Sequence, residues 1–116
     1  MVTVTLGSTG ISVNKNGFGA LPIQRVGEQE AVRLLRRAAA GGIHFYDTAR
    51  FYTDSEKKLG LAFEGQREGL YIASKTAVKD GEGFWRDLET SLKLLRTSYL
   101  DIYQFHNPPF CPKPGD

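Results

Sequence analysis

The stretch Phe45-Tyr46-Asp47-Thr48-Ala49-Arg50-Phe51-Tyr52 places a carboxylate and a phenol five residues apart, directly after an apolar run. A lysine follows the apolar run Leu70-Tyr71-Ile72-Ala73-Ser74, at Lys75. A histidine, His106, ends the run Tyr99-Leu100-Asp101-Ile102-Tyr103-Gln104-Phe105. The four residue types complement one another. A phenol, with an ordinary pKa of about 10, holds its proton at neutral pH and can yield it to a developing alkoxide. A nearby ammonium stabilises the phenolate left behind. A carboxylate would keep that ammonium charged and aimed, and an imidazole could orient a carbonyl oxygen. Such a set is suited to protonating an oxygen while a hydride arrives from elsewhere.

Taken singly, each residue has a plainer reading. Asp47 could cap a loop, and Tyr52 could be a packed aromatic with its hydroxyl at the surface. Lys75 could be a solvated strand end. His106 could be a hydrogen-bonded core histidine, and His44, which begins its strand, is assigned only a local hydrogen bond. Placement favours the chemical reading. In parallel α/β proteins the functional side chains gather where strands end and βα loops begin. All four stand there.

The elements that must position them follow from periodicity. Val2 to Leu6 and Ile11 to Val13 alternate around Gly7-Ser8-Thr9-Gly10, which reads as a β-hairpin. A short strand at Gly17 to Leu21 is stopped by Pro22. Over Glu28 to Ala40, Ala31, Leu34, Leu35, Ala38 and Ala39 make one helical face, ended by Gly41-Gly42. Ile43 to Asp47 is a strand. Ser55 to Glu64 is a helix, with Thr53-x-x-Glu56 as its capping box. Leu70 to Ser74 is a third strand, and Phe84, Trp85, Leu88, Leu92 and Leu95 mark a helix ending near Thr97. The last strand, Tyr99 to His106, is closed by Asn107-Pro108-Pro109.

Strands alternating with helices imply parallel strands joined by right-handed crossovers. No G-x-G-x-x-G joins a strand to a helix, which disfavours an open dinucleotide-binding sheet. A closed (β/α)₈ barrel remains, and it takes about 250 residues. The chain has 116. It is therefore expected to be a single partial α/β barrel domain: a hairpin over 1–15, four strands with three helices over 16–107, and the start of a loop over 108–116. Strand alternation puts Asp47, Lys75 and His106 on one face with Phe45, Tyr71, Ala73, Ile102 and the polar exception Gln104.

The bulk properties exclude several classes. Fifteen basic against 13 acidic residues leave +2, too little for nucleic acid, and no basic stripe interleaves with aromatics. No apolar run reaches the roughly 18 residues of a membrane span. The single cysteine, Cys111, permits no internal disulfide and has no base beside it. With no signal-like start, a reducing cytoplasm is the expected location.

At these residues the chain resembles the aldo-keto reductase superfamily. The likeness runs through Leu6-Gly7-Ser8-Thr9-Gly10-Ile11-Ser12-Val13, Gly17-Phe18-Gly19-Ala20, Asp47-Thr48-Ala49 with Tyr52, and Ser55-Glu56-x-x-Leu59-Gly60. It continues in Ile72-Ala73-Ser74-Lys75 and Leu100 to His106. The resemblance implies the N-terminal half of a TIM barrel whose bottom is closed by the hairpin. It implies NADPH as cofactor, a small carbonyl substrate and no metal. Tyr52 would be the proton donor, Lys75 the ammonium beside it, Asp47 the anchor of Lys75, and His106 the group that orients the carbonyl. Ala20, Leu21 and Asp47 would touch the cofactor, and Asn107 would line the substrate pocket with His106.

Leu21 to Val26 resembles a bacterial branch whose members often carry a C-terminal iron–sulphur domain. The superfamily also contains catalytically idle cofactor-sensing or assembly subunits, so that role stays open beside carbonyl reduction. An isolated half-barrel exposes strand edges. The chain, if alone, is expected to self-associate, or else to be a fragment of a longer protein, inactive by itself.

Overall fold

The computed structural model describes residues 2–111 and 113–115; Met1 of the expected hairpin, and Pro112 and Asp116 of the expected terminal loop, lie outside the described residues. Strands β1 (Thr3–Thr5) and β2 (Ser12–Asn14) pair antiparallel with Val4 opposite Val13. Gly7 and Gly10, at φ +53° and +78°, make the turn between them.

Beyond the hairpin, strands and helices alternate: β3 (Phe18–Gly19), α1 (Glu28–Ala40), β4 (Phe45–Asp47), α2 (Ser55–Phe63), β5 (Tyr71–Thr76), α3 (Gly81–Leu95) and β6 (Ile102–Phe105). Short 3₁₀ helices occupy Leu21–Arg25 and Arg67–Gly69. The four later strands lie in chain order and every neighbouring pair is parallel. The architecture is the expected one: a hairpin, then four parallel strands with three helices, as in part of a TIM barrel. Among the described residues, no helix is long and apolar enough to cross a membrane.

The core lies between the sheet and its helices. Tyr46 and Ile72 from the strands meet Leu35 of α1, Leu59 and Phe63 of α2, and Leu95 of α3. The Tyr46 and Phe63 rings sit 4.8 Å apart. Leu35 is wholly buried, so truncating it to alanine would cost about 2–5 kcal/mol.

Several local expectations are corrected. The first barrel strand is only Phe18–Gly19, because Leu21 and Pro22 already open a 3₁₀ helix. Proline's fixed φ and missing N–H suit the first turn of a helix. Leu34 is 40% exposed and Trp85 63% exposed, so neither lies on the buried face assigned to it. Leu34 flanks the Ala31–Leu35 stripe, and Trp85 sits edge-on to Phe84, which itself packs on Tyr103 and Phe105. The capping box before α2 does not form. The Asp54 side chain makes no cap hydrogen bond, Thr53 Oγ1 donates to Gln24 Oε1, and Glu56 turns inward.

The start of α3, which hydrophobic spacing left undefined, is fixed by Asp80: its Oδ1 accepts from the Gly83 N–H at 2.6 Å. Arg96, at φ +55°, closes the other end as the Thr97 N–H reaches back to the Leu92 C=O.

Candidate active site

Register decides which side chains share the sheet face away from the helices. Gly19, Asp47, Ala73 and Ile102 stand side by side across the strands, and Lys75 pairs with Gln104 in the next inward-facing row. Pairing continues past the strand ends. The Thr48 N–H donates to the Ala73 C=O, the Arg50 N–H to the Lys75 C=O, and the His106 N–H to the Thr76 C=O. These bonds hold the first residues of each βα loop in sheet-like register, so the loops leave one edge together.

Asp47 and Lys75 meet there. Lys75 Nζ lies 3.1 Å from Asp47 Oδ1, 3.2 Å from Oδ2 and 2.7 Å from the Thr48 carbonyl. An ammonium has three protons, and three acceptors surround this one. The same nitrogen is 5.3 Å from the centroid of the Tyr52 ring, within reach of a cation–π contact. Tyr52 in turn meets His106 edge to face, with ring centroids 5.6 Å apart and planes at 89°. His106 Nδ1 is buried and has no hydrogen-bond partner among the described residues. The ring is thus not committed through that atom to a structural bond. All four residues converge on one rim.

The other predicted site residues are placed less uniformly. Ala20 is wholly enclosed, and its N–H donates to the Asp47 C=O. Leu21, next to it, is 49% exposed at the same edge. Asn107 is exposed, and with φ +46° it turns the chain out of β6 toward Pro108. His44 is exposed at the opposite end of its strand, where its carbonyl accepts from the Tyr71 N–H.

Two features escaped the reading of the sequence. Phe51 is 72% exposed and stands edge-on to His106 at 6.2 Å. Arg50, Glu56 and Ser74 form a charged chain beneath the Tyr52 loop. Six positions separate Arg50 from Glu56, which would put them about 20 Å apart along a strand and on different faces of a helix, so only the folded loop brings them together.

Known proteins resemble the chain in both sequence and fold. The Aldo/keto reductase family model matches residues 14–112. L-galactose dehydrogenase of Arabidopsis thaliana is 36% identical over 120 residues, covering 90% of this chain and 38% of that protein. Aldo-keto reductase YhdN of Bacillus subtilis is 32% identical over 127 residues, with 93% and 38% covered. A crystal structure of a thermostable aldo-keto reductase with the inhibitor epalrestat superposes with a TM-score of 0.86 at 33% identity, covering 97% of this chain and 45% of that one. The chain spans less than half the length of these relatives, and over that span both sequence and fold agree. It belongs to the aldo/keto reductase family.

Proposed function

We propose that the chain carries the catalytic groups of an NADPH-dependent oxidoreductase that reduces aldehydes or ketones to alcohols. The observation that supports this best is the meeting of Asp47, Lys75, Tyr52 and His106 on one rim. In the proposed reaction Tyr52 gives its hydroxyl proton to the carbonyl oxygen. Lys75 stabilises the phenolate that remains, and Asp47 with the Thr48 carbonyl keeps the ammonium aimed. His106 orients the carbonyl by a hydrogen bond, and Phe51 and Asn107 border the substrate.

The rim fits a nicotinamide. The Asp47 side chain is 43% exposed although paired, and Leu21 is 49% exposed beside it, which leaves a polar and an apolar edge open together. Asp47 and Leu21 would hold the ring, while enclosed Ala20 has no side-chain surface to offer it. A reduced nicotinamide held there would supply the hydride for the carbonyl carbon. The relatives named above lend no support to an iron–sulphur branch, and none is proposed.

The test is Tyr52→Phe, assayed as carbonyl-dependent NADPH oxidation. Turnover should fall by about 10²–10⁴-fold, the usual worth of a positioned acid, with nicotinamide fluorescence still reporting cofactor binding. Unchanged turnover would remove Tyr52 from its role. A second reading rests on length: at 38% of its curated relatives, the chain alone lacks much of the surface on which a dinucleotide would lie. In that reading it holds NADPH too weakly to turn over, and saturable tight binding of NADPH by the 116-residue chain excludes it. An idle cofactor-sensing subunit would instead bind NADPH yet reduce no carbonyl.

A further inference from the structure

Beneath the Tyr52 loop lies an ion pair that the proposed reaction does not use. Arg50 Nη1 is 2.7 Å from Glu56 Oε1, with side chains 21% and 0% exposed. The second carboxylate oxygen accepts from Ser74 Oγ at 2.6 Å. Arg50 Nη2 donates to the Thr53 carbonyl at 3.2 Å, and the Arg50 N–H donates to the Lys75 carbonyl at 2.9 Å. Tyr52 therefore sits in a segment tied on both sides, to α2 and to the strand that bears Lys75.

A wholly buried carboxylate is costly unless paired, and an apolar side chain of similar volume often serves stability as well. Helix capping does not account for Glu56, since the Asp54 side chain makes no cap bond and Glu56 points away from the helix start. Thr53 adds a second observation. Its φ of +40° lies in the left-handed region that β-branched residues rarely enter. Such a conformation persists only where the surroundings hold it, and Arg50 grips its carbonyl.

We propose that Arg50 and Glu56 are positioning residues: together they fix residues 50–53 so that the Tyr52 ring stays between His106 and Lys75. The benefit to carbonyl reduction rests on the proposed function; the placement itself does not.

Arg50→Met with Glu56→Gln removes both charges at once, strands neither, and leaves Ser74 an acceptor. In NMR spectra of the whole chain, the cross-peak between the Tyr52 and His106 rings should be lost. The Tyr46–Phe63 ring contact and the amide contacts between β4 and β5 should persist. Retention of the Tyr52–His106 cross-peak at wild-type intensity overturns the proposal. Arg50→Lys keeps a charge beside Glu56 but cannot also reach Thr53, and it decides the question should the double variant not fold. A weakened cross-peak is expected there, and an unchanged one overturns the proposal equally. These spectra need no turnover, so the proposal and the reduction reading fail separately. In active protein the double variant should lose about 10²-fold in kcat, as a misplacement of about 1 Å can cost, with KM for NADPH unchanged. An equal change in both constants would mark a merely structural role.

Discussion

Lys75 reaches across the sheet to Asp47, 28 residues earlier, and its ammonium is divided among both carboxylate oxygens and the Thr48 carbonyl. The lysine thus has two independent anchors. Asp47→Asn removes only the charged one, and the backbone carbonyl still holds the ammonium near Tyr52. Lys75→Met removes the ammonium itself. Carbonyl-dependent NADPH oxidation should accordingly fall further in Lys75→Met than in Asp47→Asn. Stability should fall by about 1 kcal/mol in Asp47→Asn: the Asp47 side chain is 43% exposed, and Lys75, only 13% exposed, keeps the Thr48 carbonyl as an acceptor. Urea unfolding of both variants checks this, and equal losses of activity would show that the carbonyl is no anchor.

Gly60 marks a close approach of α2 to α3. A Cβ built there would lie 2.1 Å from the Leu94 carbonyl oxygen and 3.0 Å from Leu95 backbone atoms. Neither neighbour is a flexible side chain that could swing aside. Gly60→Ala must push two helices apart, and overpacking of this kind costs about 1–3 kcal/mol. The urea midpoint should drop with an unchanged slope. A wild-type midpoint would mean that the helices do not pack this closely.

Gly60 also shows what kind of information the sequence carried. The motif Ser55-Glu56-x-x-Leu59-Gly60 was legible as a pattern, but neither the helix crossing behind the glycine nor the inward turn of Glu56 was. Periodicity gave α1 its observed limits, Glu28–Ala40, since Gly41 and Gly42 stop it without ambiguity. Strand alternation placed Asp47 and Lys75 on one face, because register has a period of two and one slip would have separated them. Lengths of strands were less legible. Apolar residues such as Leu70 and Leu100 serve the core just outside β5 and β6 as well as they would within them. The Arg50–Glu56 pair depends on loop geometry and on burial, and neither leaves a local trace.

The open edges carry a prediction of their own. Among the described residues β3 and β6 each have a neighbour on one side only. Unpaired backbone groups along a sheet edge invite another chain. The 116-residue chain should therefore sediment faster as its concentration rises. A single monomeric boundary at every concentration would show that these short edges are adequately protected by their side chains and loops.

High pH should loosen the helix-facing core. Burial pushes the Tyr46 phenol up to about 12, and Tyr103 likewise to about 12, chiefly by burial. In the unfolded chain both ionise at about 10. The folded state thus binds protons that the unfolded state has released, and stability falls wherever that holds. The contribution is fully present below about pH 10 and is lost as pH rises from about 10 to about 12. Tyr46→Phe separates this effect from the loss of the hydrogen bond that Tyr46 Oη donates to the Ile43 carbonyl at 2.6 Å. At neutral pH the variant should be less stable by about 1 kcal/mol. Through the alkaline window its stability should fall less steeply than that of the parent, because Tyr46 no longer contributes to the loss. Urea midpoints measured across that window supply the two slopes, and parallel slopes would remove Tyr46 from the account.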